Sequence, residues 1–170
     1  MSSAAVVRPA RPSDVPAVVA MVHELAEFEH AADQCHLAED QLAGAPFGPS
    51  PRVFGHVAVD DGDTPVGFAL WFLNFSTWAG THGLYLEDLY VRPVARGTGA
   101  GGALLATLAR ICVERGYRRM EWVMLDGNPA AEVYAAIGAT VTADWVPYRL
   151  SGEALTRLAG RASPPARVSG

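Results

Sequence analysis

Between Arg96 and Gly102 the chain reads Arg-Gly-Thr-Gly-Ala-Gly-Gly, directly after the apolar run Leu84 to Val91. Glycine lacks the β-carbon that holds a ligand away from the backbone, so the N–H groups of such a loop can close on an anion. A helix beginning near Gly99 adds the positive end of its dipole, and Arg96 adds a full charge, so a pyrophosphate fits here without a metal. The chain has no GxxxxGK[ST], which sets a P-loop aside. A dinucleotide loop is also set aside, since GxGxxG is read as failing in spacing after Gly97-Thr98-Gly99 and no acidic residue is expected to end a second short strand about twenty residues on.

Other residue types suited to chemistry are carboxylates and one phenol. Glu87 and Asp88 stand together in the apolar strand. A carboxylate there is costly unless paired or wet, and strand alternation lets only one of the two line a given cleft. Either can hold a substrate ammonium or take its proton through water. Glu24, Glu27, Glu29 and Asp33 form an acidic neighbourhood suited to a second positive group. Tyr134 lies one position round from Val133 in a short helix opened by Asn128 and Pro129, so its phenol can leave the apolar stripe and give up a proton. The histidines show no HxxxH or HxH spacing, and no metal site is expected.

These groups need elements to hold them. Val6 to Arg8 reads as a strand, and Ser13 as the N-cap of a helix whose Val15, Val18, Val19, Val22, Leu25, Ala26 and Phe28 share a stripe. A short helix over Ala38 to Ala43 and a Gly/Pro-rich loop over Gly44 to Arg52 follow. Val53 to Val59 and Val66 to Phe75 form a hairpin about the turn Asp60 to Asp63. After the strand at Leu84 to Val91 comes a helix from about Gly99 to Arg115, stopped by Gly116. A strand over Glu121 to Leu125, the helix after Asn128, and a final strand over Val141 to Leu150, interrupted at Pro147, complete an α/β (α+β) pattern. That apolar last strand is a candidate pairing edge between copies. Residues 1–160 are read as one domain and 161–170 as a disordered tail.

Arg96 to Gly101 resembles the Q/R-x-x-G-x-G/A loop of the GCN5-related N-acetyltransferases (GNAT). YLEDLYV before it, LDGN at Leu125 to Asn128 and VYAAIGA at Val133 to Ala139 fall in that family's order and spacing. The likeness runs from about Val6 to about Leu158. HELAEFE near the start and the segment Trp78 to Val91 resemble most the spermidine/spermine and thialysine acetyltransferase branch. This implies the GNAT fold, with a mixed, mostly antiparallel sheet and acetyl-CoA between central strands. Leu89, Tyr90 and Val91 would line the pantetheine, the first and last through backbone, and Arg96, Gly97, Thr98, Gly99, Ala100, Gly101 and Gly102 would hold the pyrophosphate. Asn128 would bond the pantetheine arm, and Tyr134 would protonate the leaving thiolate. Phe28, Glu29, Trp78, Glu87 and Asp88 would bind the acceptor, with Glu87 placed ahead of Asp88. The acidic run that follows Glu29 in polyamine enzymes is thinned here to His30-Ala31-Ala32-Asp33, which leaves room for a shorter amine. The branch also implies a homodimer.

Composition agrees with a small cationic substrate. The 170 residues carry a formal net charge of -5, which opposes nucleic acid and anionic membrane as partners. Two cysteines without zinc-like spacing point to a reducing cytoplasm, and Cys112 on a helix's apolar side and Cys35 in a loop offer no acyl carrier. No run of about twenty apolar residues and no leader pattern is seen. The expectation is an N-acetyltransferase moving acetyl directly from acetyl-CoA to a diamine, polyamine or lysine-like amine. Alternatives are acetylation of an amino-acid-like antimetabolite or a protein amine, or a catalytically silent acyl-CoA-binding module.

Overall fold

The computed structural model describes residues 5–162. It divides into two compact units, the first ending at Asp126 and the second beginning at Gly127. The first unit contains β1 (Val6–Pro9), α1 (Val15–Phe28), α2 (Glu39–Phe47), β2 (Phe54–Val59), β3 (Pro65–Ser76), β4 (Thr81–Val91), α3 (Ala100–Arg115) and β5 (Met120–Glu121). The strands form one sheet in the order β1-β2-β3-β4-β5. Pairing is antiparallel except between β4 and β5, so the sheet is mixed and mostly antiparallel, as expected.

Period-two alternation sorts the strand side chains onto two dry faces. Val57, Val59, Phe68, Leu70 and Tyr90 pack with Val15, Val18, Val19 and Met21 of α1 and Leu42 of α2. The opposite parity, Ala58, Ala69 and Trp71, turns to the face where α3 packs with Leu104, Leu105, Leu108 and Cys112 buried. On that side the buried His56 accepts the Trp71 indole N–H on Nδ1 at 3.1 Å, which leaves its proton on Nε2. Burial, followed by the charges of Arg110 and Arg115, pushes the imidazole below its usual range and keeps it neutral.

Several expectations are corrected. Ser13 does not cap α1. The chain turns one step earlier, at Pro12–Asp14, and the Asp14 carboxylate takes the Arg11 N–H at 2.7 Å. Asp14 is nearly buried, and the guanidinium of Arg8 grips it at 2.7 and 3.0 Å. Helix α2 runs through Gly44 and Pro46 to Phe47, so the loop is shorter than expected; burial of Leu42 in the core outweighs the weak local propensity. The strand expected at Glu121 to Leu125 is reduced to Met120 and Glu121.

The second unit contains α4 (Ala130–Ala136) and α5 (Gly152–Ala159). Asn128 starts α4 as expected, its Oδ1 accepting the Ala130 N–H at 2.9 Å. Val141 to Leu150 forms no strand, because the chain turns at Thr142 to Trp145 and Pro147 supplies no N–H to a ladder. The pairing edge assigned to that stretch is therefore absent. Helix α5 was not anticipated; it carries an i,i+4 pair, Glu153 with Arg157 at 3.3 Å. Of the expected disordered tail, Arg161 and Ala162 continue the turn after α5, and residues 163–170 lie outside the described residues.

Candidate active site

The glycine loop has the geometry its composition requires. After a short turn at Pro93–Ala95, Gly97 and Gly99 adopt φ of 79° and 88°, in the left-handed region that β-carbons disfavour. The Thr98 hydroxyl ties the loop to the Ala95 carbonyl at 2.7 Å. The first intrahelical bond nearby runs from the Ala103 N–H to the Gly99 carbonyl at 2.9 Å, so the N–H groups of Ala100, Gly101 and Gly102 precede it and remain available to an anion. A β-carbon on Gly101 would meet only Val91 Cγ2 at 3.7 Å, and one on Gly102 nothing within 4 Å.

Strand β4 leads into this loop along an open edge. It is paired with β5 only at Leu84 and Tyr85, and from Leu86 to Val91 that edge has no strand partner among the described residues. The Arg92 N–H bonds Val66 of β3 at 2.9 Å, so alternation turns the peptide groups of Val91 and Leu89 to the open side. An extended amide-bearing ligand can add there as a strand would. Tyr90 points the other way and is buried in the core.

The register of β4 answers which carboxylate faces α1. Leu86 lies opposite Trp71 and Asp88 opposite Leu70, so Glu87 is an extra residue, a β-bulge. Trp71 belongs to the α3 face and Leu70 to the α1 face; the inserted residue carries the strand from one parity to the other. Asp88 thus shares the α1 side with Tyr90 and is half-buried, whereas Glu87 is exposed. Burial, then the charges of Glu87 and Glu29, push the Asp88 carboxyl up to about 6. Glu29 reaches this place because α1 ends there, His30 breaking it with φ of 57°.

Arg96 sits over two aromatic faces, its Cζ being 5.4 Å from the Phe28 centroid and 5.7 Å from that of Tyr90, and its Nε donates to the Val91 carbonyl at 3.1 Å. Burial and the Glu24 carboxylate push the Tyr90 phenol up, and the Arg96 charge opposes them. Arg92, which the sequence did not single out, binds Glu24 at 2.9 Å through Nη2. The pair spans 68 residues of sequence, so no local pattern announces it.

Phe28, Glu29, Asp88, Tyr90 and Arg96 are therefore brought together. Trp78 is not among them: it is 90% exposed in the turn between β3 and β4, roughly 30 Å of extended strand away from Val91. Asn128 and Tyr134 belong to the second unit. Tyr134 is half-buried on α4, and burial pushes its phenol up, so it keeps its proton at neutral pH. No group of three or more His, Cys, Asp or Glu among the described residues is arranged to hold a metal.

A dinucleotide-binding loop is a closer rival than expected, because Gly97, Gly99 and Gly102 have GxGxxG spacing and Glu121 ends the short strand β5. The fold argues otherwise. Glu121 is bound to Asn74 and to Arg119, each at 2.9 Å, and the sheet around the β4-α3-β5 unit is antiparallel rather than doubly wound.

Comparison with known proteins agrees with the loop and the sheet. The chain is 35% identical over 168 residues to a thialysine N-epsilon-acetyltransferase of Mus musculus, covering 91% of this chain and 97% of that one. It is 29% identical over 197 residues to an L-ornithine N5-acetyltransferase of Arabidopsis thaliana, covering 89% and 86%. An integron cassette protein from the mobile metagenome of V. cholerae superposes with a TM-score of 0.76 at 26% identity, over 92% of this chain and 98% of that chain. Residues 19–139 match the Acetyltransferase (GNAT) family, whose donor is acetyl-CoA, and the chain belongs to this family of enzymes.

Proposed function

We propose that this enzyme acetylates the primary amine of a small cationic acceptor, a diamine, polyamine or lysine-like side chain, directly from acetyl-CoA. The observation that carries the reading is Asp88, a recessed carboxylate beside Glu29 and Glu87, on the strand that runs into the glycine loop. The pyrophosphate binds Arg96 to Gly102, and the pantetheine adds along Leu89 and Val91. Asn128 contacts the pantetheine arm as well as capping α4. Glu29 and the face of Phe28 receive the acceptor, and Asp88, rather than the exposed Glu87, takes the ammonium proton directly or through one water. The neutral nitrogen attacks the thioester carbonyl carbon, the tetrahedral oxyanion collapses with cleavage of the C–S bond, the Tyr134 hydroxyl gives its proton to the departing thiolate, and the excess proton on the acylated nitrogen passes through water to the Tyr134 phenolate, which restores the phenol. The products are the N-acetyl amine and the CoA thiol.

The relatives named for thialysine and ornithine acetylation support an acceptor of this size and charge. Trp78, at the far hairpin turn, is left out of the acceptor site of its own protomer. A cytoplasmic homodimer is proposed on the family likeness, with Cys35 and Cys112 as free thiols in keeping with a reducing compartment. The test is thiol release with an amine panel. Thialysine, ornithine and short diamines should react. Turnover confined to neutral or anionic amines such as aminobenzoates refutes the cationic-acceptor reading, and acetyl-CoA binding without turnover on any amine leaves an acyl-CoA-binding module.

A further inference from the structure

We propose that Arg96 is a positioning residue that couples the donor loop to the acceptor mouth by holding the Phe28 ring; the inference rests on the site reading above and deepens it. Arg96 is the charged side chain of the RGTGAGG loop, yet its guanidinium is not simply poised for phosphate. Its Cζ lies over Phe28 and Tyr90, and its Nε is committed to the Val91 carbonyl. Phe28 is the last residue of α1 and is 46% exposed, so one part of its ring meets Arg96 and the remainder is open. An acceptor ammonium seeks that same negative ring face.

The rest of the cluster gives Arg96 a rigid seat. Glu24, one turn before Phe28 on α1, binds Arg92 at 2.9 Å. Glu24 and Phe28 occupy i and i+4 of one helix face, while Tyr90, Arg92 and Arg96 come from the end of β4 and the loop after it. The end of α1 is thus latched to the donor loop at two levels: a carboxylate–guanidinium pair below, and a guanidinium–aromatic contact above. With Nε occupied, the two Nη groups are the part of Arg96 that can turn to pyrophosphate while the stack persists. Donor binding then fixes Arg96, and Arg96 fixes Phe28.

The test is steady-state kinetics with acetyl-CoA and thialysine, together with calorimetry of acetyl-CoA, on Arg96→Met, Arg96→Lys, Phe28→Leu and the Arg96→Met/Phe28→Leu double variant. At saturating acetyl-CoA, Arg96→Met and Phe28→Leu should each raise the acceptor KM about fivefold with kcat within about twofold, and the double variant should be no worse than the poorer single. Arg96→Lys should bring acetyl-CoA affinity back to within about threefold of wild type but leave the acceptor KM raised, since an ammonium restores charge and not the planar stack. A fold defect or a simple loss of charge does not separate the two constants in this way. An acceptor KM unchanged in Arg96→Met, or single effects that multiply in the double variant, overturns the coupling while leaving the donor site standing. A wild-type protein that binds no acetyl-CoA overturns the site reading, and the coupling with it.

Discussion

Replacing Asp88 with asparagine should stabilise the protein at neutral and alkaline pH while disabling it. Burial, then the charges of Glu87 and Glu29, push the carboxyl up to about 6 in the folded chain against an ordinary 3.8. The native state therefore keeps a proton that the unfolded chain has already lost. Stability from this group is fully present below about 3.8 and is lost as pH rises through about 6. The gap is about two units, or ~3 kcal/mol at 1.36 kcal/mol per unit. Water still reaches the half-buried side chain, which reduces the expected figure to about 2 kcal/mol. Asparagine keeps the shape and never carries the charge. Urea unfolding of both proteins should give nearly equal stabilities at about pH 3, below the ordinary 3.8, with the variant ahead by about 1 kcal/mol near pH 4.5 and by about 2 kcal/mol at pH 8. In the wild type, kcat/KM should rise through an acid limb near about 6, set by the free enzyme's base. In Asp88→Asn that limb should vanish and the rate at pH 8 should fall by about 10²-fold or more. An equally stable or weaker variant at pH 8, or an acid limb that survives the substitution, refutes the assignment of the buried charge to Asp88.

Glu29→Gln removes a charge that raises Asp88, so the acid limb should move to lower pH while the acceptor KM rises; a limb that does not move separates Glu29 from the site. Gly101→Val should raise the KM for acetyl-CoA at least about tenfold with little change in Tm, since valine is no worse than glycine in a helix and its β-carbon meets only Val91 at 3.7 Å. Gly99→Ala should instead cost about 1–2 kcal/mol of stability, because φ there is 88°; denaturant midpoints and donor calorimetry of the two variants check the contrast. Tyr134→Phe should slow the acetyl-transfer step about 10²-fold in single-turnover measurements, with donor binding unchanged; a rate within about twofold of wild type makes Tyr134 a packing residue. His56 binds a proton less readily folded than unfolded, so its contribution holds above about 6.5 and falls as pH drops below it. His56→Asn, which preserves an acceptor for Trp71, should flatten that acid-side loss relative to wild type in urea titrations.

The elements that carry the proposed donor site were legible because each has a local cause. Apolar alternation marks β2 and β3 to within a residue and the end of β4, which starts three residues earlier than expected at Thr81; glycines bracket α3, and the Asn128-Pro129 pair starts α4. The family likeness then attached a ligand to the loop. What failed depends on distant contacts. Helix α2 passes through Gly44 and Pro46 because Leu42 is buried in the core, which local propensity cannot register. Residues 141–150 have the apolar composition of a strand but turn at Thr142 to Trp145, and a ladder needs a neighbour as well as a pattern. The Glu24–Arg92 pair, which seats the end of α1, likewise spans too much sequence to be foreseen.

Glu87 and Asp88 show how one residue of register can separate a surface charge from a recessed one. Strict alternation from Leu86 would send Asp88 to the α3 face, among the buried Trp71 and Leu84 and away from Glu29. The extra residue at Glu87 instead delivers Asp88 to the side where Glu29 ends α1, and leaves Glu87 in solvent. Two carboxylates near a third raise its proton affinity, a poor arrangement for stability and a suitable one for taking a proton from a bound ammonium, whose positive charge would relieve the repulsion. The bulge also interrupts the β3–β4 ladder between Leu70 and Trp71, so the cost in pairing and the cost in charge fall at the same place. Elsewhere the face is closed by dry contacts among α1, β2 and β3, which can bear that local loss without yielding the position of the carboxylate.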